Sequence, residues 1–293
     1  MQTNTEWLEE RKTGITGTDI VAICGLNPYK SAYDVYVEKT TAIQEKPDNV
    51  YMKMGRKLEA VICELYEEES GQVLTEPNPK LIRFSKNPLM IGSPDRYIGA
   101  DGVFEAKSTQ KKIEILPEMY FIQNQWYVGI SERKFGVCGI LERGLNFTSF
   151  TNELDVELFE MLVQKGNSFW NENVLNKVPP PPQNSEDVLK IYNKHTAGKT
   201  IEVNSIVYDE IEKLREVKQK LAINLEAKEK IEESLKLMML DAEGLTFGNE
   251  IICTWKTAKD SLKLNEQKLK DALPDIFSKF TETKQGSRRF LLK

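Results

Sequence analysis

The chain has 293 residues, 40% of them hydrophobic and 29% charged, enough for one large globular domain or two ordinary ones with a real core. A formal net charge of −5 argues against a protein that coats nucleic acid through bulk electrostatics. The four cysteines (Cys24, Cys63, Cys138, Cys253) form no C-x-x-C pair, which speaks against a zinc site and fits a reducing, cytoplasmic setting.

The first residues, MQTNTEWLEERKTG, lack the apolar stretch of a secretory signal, and no apolar run is long enough to cross a bilayer. TDIVAICG then opens a short helix stopped by Gly25, and SAYDVYVEKT predicts a second with Ser31 as its cap. Residues 49–71 place apolar side chains at 50, 54, 58, 61, 62 and 65, a helical period that Gly71 terminates. Strand-like stretches follow: QVLTEP, KLIRFS, LMIGSPDRYIG and GVFEAKST. LPEMYFIQNQWYVGIS predicts a helix, KFGVCGILERG and LNFTSFTNEL two more strands, and ELFEMLVQKGNSFWNENVL a closing helix. This order describes an α+β fold, a sheet covered by helices.

VPPPPQ at 178–183 ends that region, because four prolines impose a stiff extended segment without backbone donors. The expected division is a core over 1–177, a proline-rich linker over 178–186 and a mainly helical region over 187–293. Residues 204–241 predict one long helical segment. Val207, Ile211, Leu214, Leu221, Leu225, Leu235 and Met239 follow coiled-coil spacing, but Lys218, Lys228 and Glu232 interrupt the row. A packed helical hairpin or arm is therefore preferred to a coiled-coil dimer. Glu216 with Lys220, Glu226 with Lys230 and Glu232 with Lys236 are expected as i,i+4 pairs. The tail reads as two strands, around EIICTWKT and RRFLLK, flanking a helix at 262–273. His195, the only histidine, lies beyond the prolines and is expected to be exposed and chemically idle.

The chemistry concentrates in SPDRYIGADGVFEAKST, residues 93–109. Glu105 and Lys107 alternate onto one face of a strand that is otherwise apolar. Where Asp95 points depends on the turn. A two-residue turn at Asp101-Gly102 puts Asp95 on the opposite face. A three-residue loop, Ala100-Asp101-Gly102, pairs Asp95 with Lys107 and Tyr97 with Glu105, so that all three charges share a face. Two carboxylates and a lysine suit a hard divalent cation such as Mg²⁺, with Mn²⁺ able to substitute, and a phosphate oxygen completing its shell. The plain alternative is the charged outer face of an edge strand. Lys53, Arg56, Lys57, Lys107, Lys111 and Lys112 are candidates for a local basic groove, or else ordinary solvated surface.

SPDRYIGADGVFEAKS resembles the core of the PD-(D/E)xK nucleases. With WLEERKTGITGTDIVAICGLNPYKSAYDVYVEKT, MGRKLEAVICELYEEESG and YFIQNQWYVGIS in this order, residues 6–170 resemble the YqaJ-type viral recombinases, relatives of the lambda-type alkaline exonucleases. The resemblance implies that Asp95 and Glu105 bind metal with the Ala106 carbonyl, and that Lys107 is the catalytic lysine. It implies a helix glutamate, Glu59, beside the metal centre, and a glutamine-tyrosine motif at Gln123, Gln125 and Tyr127. Arg11, Thr16 and Thr18 match the residues near the terminal 5′-phosphate, with Lys53 and Arg56 as further DNA contacts. An arginine fork with hydroxyls is chemically suited to a phosphate.

The implied function is a Mg²⁺-dependent exonuclease that degrades the 5′ strand of linear double-stranded DNA and leaves a 3′ overhang. It is expected to work in a cytoplasm, that of the host if phage-encoded, on duplex ends. Family habits add a homo-oligomeric ring such as a trimer and a single-strand annealing partner, and no membrane. The alternatives are a structure-specific or single-strand endonuclease of the same fold, and a non-catalytic interaction module.

Overall fold

The computed structural model describes residues 4–43, 49–283 and 286–292, which divide into two compact units, Met1–Ile191 and Tyr192–Lys293.

The first unit opens with α1 (Asn4–Lys12), which the sequence reading missed because its turns carry no apolar stripe. Two capped helices follow. Thr16 and Asp19 form a reciprocal capping box on α2 (Gly17–Ile23), and Ser31 and Asp34 form another on α3 (Ala32–Thr40). The long α4 (Val50–Ser70) starts at Asn49, whose Oδ1 accepts from the Met52 N–H, and stops at Gly71 in the left-handed region at φ 68°.

Seven strands come next: β1 (Leu74–Thr75), β2 (Ile82–Phe84), β3 (Asn87–Gly92), β4 (Arg96–Ile98), β5 (Gly102–Thr109), β6 (Phe135–Glu142) and β7 (Asn146–Glu153). Helix α5 (Glu118–Ile130) connects β5 to β6, and α6 (Val156–Phe169) runs on into a π-helical turn, Trp170–Leu175. Five strands make one sheet in the order β1-β4-β5-β6-β7, parallel only between β5 and β6, while β2 and β3 pair separately. A parallel pair needs a crossover, and α5 supplies it.

Two apolar clusters cover the sheet, one on each side. Val103 of β5 packs with Ile122 and Trp126 of α5, whereas its neighbour Phe104 packs with Ile62, Cys63 and Tyr66 of α4. Alternation along β5 thus hands Glu105 and Lys107 to the α5 side and Ala106 to the α4 side.

The hairpin before this strand departs from both expected turns. Ile98 pairs with Gly102, Tyr97 with Val103 and Arg96 with Phe104, so the loop is Gly99-Ala100-Asp101. Gly99, not Gly102, takes the positive φ, at 53°. Gly102 serves packing instead: a Cβ there would lie 2.5 Å from the Phe135 ring. Continued by one residue, this register sets Asp95 opposite Glu105 rather than Lys107.

The prolines do not hang free between units. Pro180 is buried, and the segment leads into α7 (Ser185–Ile191) within the first unit. Gln183 Oε1 accepts from the Ala32 N–H at 2.9 Å, and Ser31 Oγ donates to the buried Asp187 carboxylate at 2.7 Å. The compact unit therefore ends at Ile191, beyond the expected boundary.

In the second unit, α8 (Ser205–Met239) is one unbroken helix of 35 residues, an arm rather than a hairpin. Lys230 reaches Glu226 as expected, but Glu232 pairs with Lys228 at 3.0 Å and Lys236 lies over the Trp255 ring. Leu221, Leu225 and Leu237 on the arm are exposed. After it come an antiparallel hairpin, β8 (Gly244–Phe247) with β9 (Glu250–Thr254), and two short helices, α9 (Glu266–Ala272) and α10 (Pro274–Lys279). The expected last strand is not formed: described residues 286–292 are irregular, and the partner of β9 precedes it in the chain. His195 is exposed.

Candidate active site

Where β4 has ended, the Asp95 carboxylate takes over the edge of β5: its Oδ2 accepts from the Ala106 N–H at 2.9 Å. Glu105, 3% exposed, lies across from it. Glu105 Oε1 accepts from Lys107 Nζ at 2.7 Å and from Gln123 Nε2 at 2.9 Å. Gln123 also donates to the Tyr127 hydroxyl at 3.1 Å, so one face of α5 orients the acid through two successive turns. Lys107 lies 5.5 Å from the Tyr120 ring centroid, a cation–π contact from the same helix.

The electrostatics of this cluster are strained in one direction. Burial, and then the Asp95 charge, push the Glu105 carboxyl up to about 8 despite Lys107. Burial also raises Asp95, against the pull of Lys107 and the Ala106 N–H. Lys107 loses to burial but gains more from Glu105 and Asp95, and is held above the ordinary lysine range. Cys138, the cross-strand partner of Glu105 on β6, is pushed up to about 12, mainly by burial, and is no nucleophile. One lysine does not balance two buried acids, and the remaining oxygen, Glu105 Oε2, is buried without a partner. An orphaned carboxylate oxygen beside a second acid is the arrangement a cation relieves. The donors are all oxygens, which suits a hard divalent ion. Among the described residues no third His, Cys, Asp or Glu completes a metal-binding group.

Glu59 stands apart from the pair. Reaching in from α4, on the other side of the sheet, it accepts from Arg96 Nη1 at 2.9 Å. Gln125 does not join the site either. Its amide is spent at the end of β7, donating to the Glu153 carbonyl and accepting from the Asp155 N–H, each at 2.8 Å. Of the two glutamines the sequence proposes, Gln123 faces the acids and Gln125 braces the fold.

The N-terminal group assembles next to Tyr127, whose ring packs so closely on Gly17 that a Cβ there would lie 2.7 Å from it. Arg11 Nη2 donates to Thr18 Oγ1 at 3.3 Å and to Thr16 Oγ1 at 3.4 Å, and its guanidinium stacks 4.6 Å from the Trp7 ring centroid. Thr16 is fully buried and already accepts from the Asp19 N–H as a cap, whereas Thr18 and Arg11 are part-exposed. A cavity of about 1030 Å³ opens beside Arg11, lined by Trp7, Lys30, Lys39, Lys53 and Arg56. Lys53 and Arg56 thus join Arg11, while Lys112 is a surface charge paired with Glu114.

Sequence reasoning missed several of these residues. Asp19, 2% exposed, holds Lys39 and Lys30, each at 2.7 Å, and Lys39 donates to the Arg11 carbonyl. Burial raises the Asp19 carboxyl, but Lys39, Lys30 and Arg11 together hold it well below the usual range. Burial pulls Lys39 the other way, to below its ordinary value. Ser93 Oγ is buried and unpartnered two residues before Asp95. The proline between them was the available signal, since it fixes the chain where the hydroxyl and the acid follow each other.

Comparison with known proteins shows what these residues are similar to. Residues 6–134, which carry both acids, Lys107 and α5, match the sequence model of the YqaJ-like viral recombinase domain. This stretch resembles a YqaJ-like domain. Over 305 aligned residues the chain is 28% identical to the uncharacterized protein YqaJ of Bacillus subtilis (strain 168), covering 98% of this chain and 93% of that protein. Among solved structures, the fold is similar to that of an alkaline exonuclease (LHK-Exo) from Laribacter hongkongensis, at 19% identity and a TM-score of 0.50 over 59% of this chain and 93% of that one. A structure of LHK-Exo in complex with dAMP matches at the same identity and TM-score, over 64% and 96%. The chain thus shares the fold of an alkaline exonuclease over that part. Among the described residues, no helix is long and apolar enough to cross a membrane.

Proposed function

We propose that the first unit is a divalent-cation-dependent deoxyribonuclease that degrades the 5′ strand of linear duplex DNA and leaves a 3′ single-stranded overhang. The observation that carries this reading is the orphaned Glu105 Oε2 beside the buried Asp95 carboxylate, next to Lys107. The alkaline exonuclease fold supports it.

Asp95, Glu105 and the Ala106 carbonyl would hold the cation, Mg²⁺ with Mn²⁺ as a substitute. Once bound, it supplies Lewis-acid polarisation of the scissile phosphate and a lowered pKa for the attacking water. Gln123, steadied by Tyr127, occupies Glu105 Oε1 and leaves Oε2 as the oxygen that would be offered to a cation. Lys107 keeps its proton throughout the neutral range, orients the water and balances charge building on the phosphate oxygens. Arg11 and Thr18 take the terminal 5′-phosphate, with Thr16 fixing the loop behind them. Lys53 and Arg56 contact the backbone further on. Phosphate contacts give salt-sensitive binding with little sequence preference. On this reading the enzyme works in a cytoplasm as a homo-oligomeric ring, and the overhang passes to a single-strand annealing protein.

The test is digestion of linear duplex carrying a 5′ label at one end, with Mg²⁺, with EDTA, and with Asp95→Ala. Early release of labelled mononucleotide, lost in EDTA and in the variant, is the expected result. Internal cuts would move the reading to an endonuclease. No cleavage of linear, nicked or single-stranded DNA would overturn it.

A further inference from the structure

Helix α1 carries Arg11 in its last turn, where main-chain carbonyls lack intrahelical partners, and no apolar stripe packs the helix down. The contacts of the guanidinium with Thr16 and Thr18 are long, at 3.4 and 3.3 Å. Arg11 is held instead by its main chain: Lys39 Nζ donates to the Arg11 carbonyl at 2.7 Å. The same ammonium lies 2.7 Å from Asp19 Oδ2, and that oxygen also accepts from the Thr16 N–H at 3.0 Å. One buried ammonium thus joins the end of α1 to the start of α2, where Thr16 and Thr18 stand. The Lys39 side chain is 4% exposed and that of Asp19 2%, so water does not substitute for either bond. Lys12 adds a second tie, to the Thr41 carbonyl at 2.6 Å, but that one is exposed.

We propose that Lys39, buried against Asp19, is a positioning residue for the 5′-phosphate site: it sets Arg11 in register with Thr18 without touching the phosphate. This rests on the reading of Arg11 and Thr18 as the groups that take the terminal phosphate. A guanidinium fork and a hydroxyl hold one phosphate together only when their spacing matches it. Without the ammonium the Arg11 carbonyl loses its partner, the last turn of α1 is free to shift, and the guanidinium leaves that register. The bonds of Lys39 go to Arg11 and Asp19, not to Asp95, Glu105 or Lys107, so the effect falls on the choice of DNA end rather than on hydrolysis. A pair that served the fold alone would affect every DNA end equally.

The readout is the ratio of initial rates on two linear duplexes, one with a 5′-phosphate and one with a 5′-hydroxyl at its ends, digested by the full chain with Mg²⁺. The hydroxyl end is the internal control, because a loss of fold or of the cation site slows both alike. The parent is expected to prefer the phosphorylated end. Lys39→Met is expected to lower that preference about tenfold, within the roughly 100-fold that a misplacement of about 1 Å can cost. In an Arg11→Gln background Lys39→Met should change the ratio no further, since it acts through Arg11. A parental ratio in folded Lys39→Met, or a further loss in the Arg11→Gln background, overturns the proposal. If Lys39→Met does not fold, Lys39→Arg decides. It keeps the charge on Asp19, but its larger head displaces the Arg11 carbonyl, so the ratio falls there too, and a parental ratio overturns the proposal. A parent that degrades neither end, or both equally, sinks the 5′-phosphate reading and this inference with it. A phosphate preference untouched by the Lys39 substitution sinks only the inference.

Discussion

At the scale of single residues, the densest charge cluster outside the acid pair is Asp19 with Lys39 and Lys30. Lys39 is 4% exposed, so its ammonium depends on Asp19 and on the Arg11 carbonyl for its solvation. Asp19→Asn would leave that ammonium buried and uncompensated, which should cost about 3–5 kcal/mol. Urea unfolding at neutral pH measures the loss. The pH dependence has a definite sign. A carboxyl held below its ordinary 3.8 stabilises the fold above that value and loses the contribution as the pH falls through its depressed native value. The gap between parent and variant should therefore be full at neutral pH and close in acid. Equal stability at neutral pH would mean that burial costs cancel the ion pairs. None of this was legible in the sequence: Asp19 reads as a helix-start residue, and that Lys30 and Lys39 converge on it depends on how α2 and α3 pack.

Among elements, α5 shows what periodicity reveals and where it stops. Spacing puts Gln123 and Tyr127 on one face and Gln125 on another. It does not say which face meets the acids, because α5 is buried all round, from Ile122 to Ile130. The same limit applied to the hairpin. Alternation put Glu105 and Lys107 together, but with glycines at both 99 and 102 the turn could not be located, and packing against Phe135 decided it. Helix α4 was legible because one apolar stripe and a glycine stop agree. The division of labour along α5 has a consequence. Gln125→Leu strands the Glu153 carbonyl and the Asp155 N–H at the β7–α6 junction, at a cost of about 1–3 kcal/mol. Thermal unfolding should register it, with the proposed nuclease turnover of the folded protein unchanged. A fall in turnover at parental stability would return Gln125 to the site.

Across the whole molecule, the proline run is a strap on the first unit. A segment without N–H groups can lie against a protein surface without leaving donors unsatisfied, a property that in sequence reads as a linker. Its anchors are polar and specific. Gln183 and Asp187 complete the start of α3 through the Ala32 N–H and the Ser31 hydroxyl, and Lys190 pairs with Asp34 at 2.6 Å. A chain ended after Ile191 should keep the melting behaviour of the first unit. One ended after Lys177 exposes Ser31 and the Ala32 N–H to water, and loses about 1–3 kcal/mol at roughly 0.5–1.5 for each of those two hydrogen bonds. For a unit of this size that corresponds to roughly 2–12 °C in melting temperature. Scanning calorimetry of the two truncated chains makes the comparison. Identical transitions would show that the strap only rests on the nuclease fold; a gap on this scale would make residues 178–191 part of it.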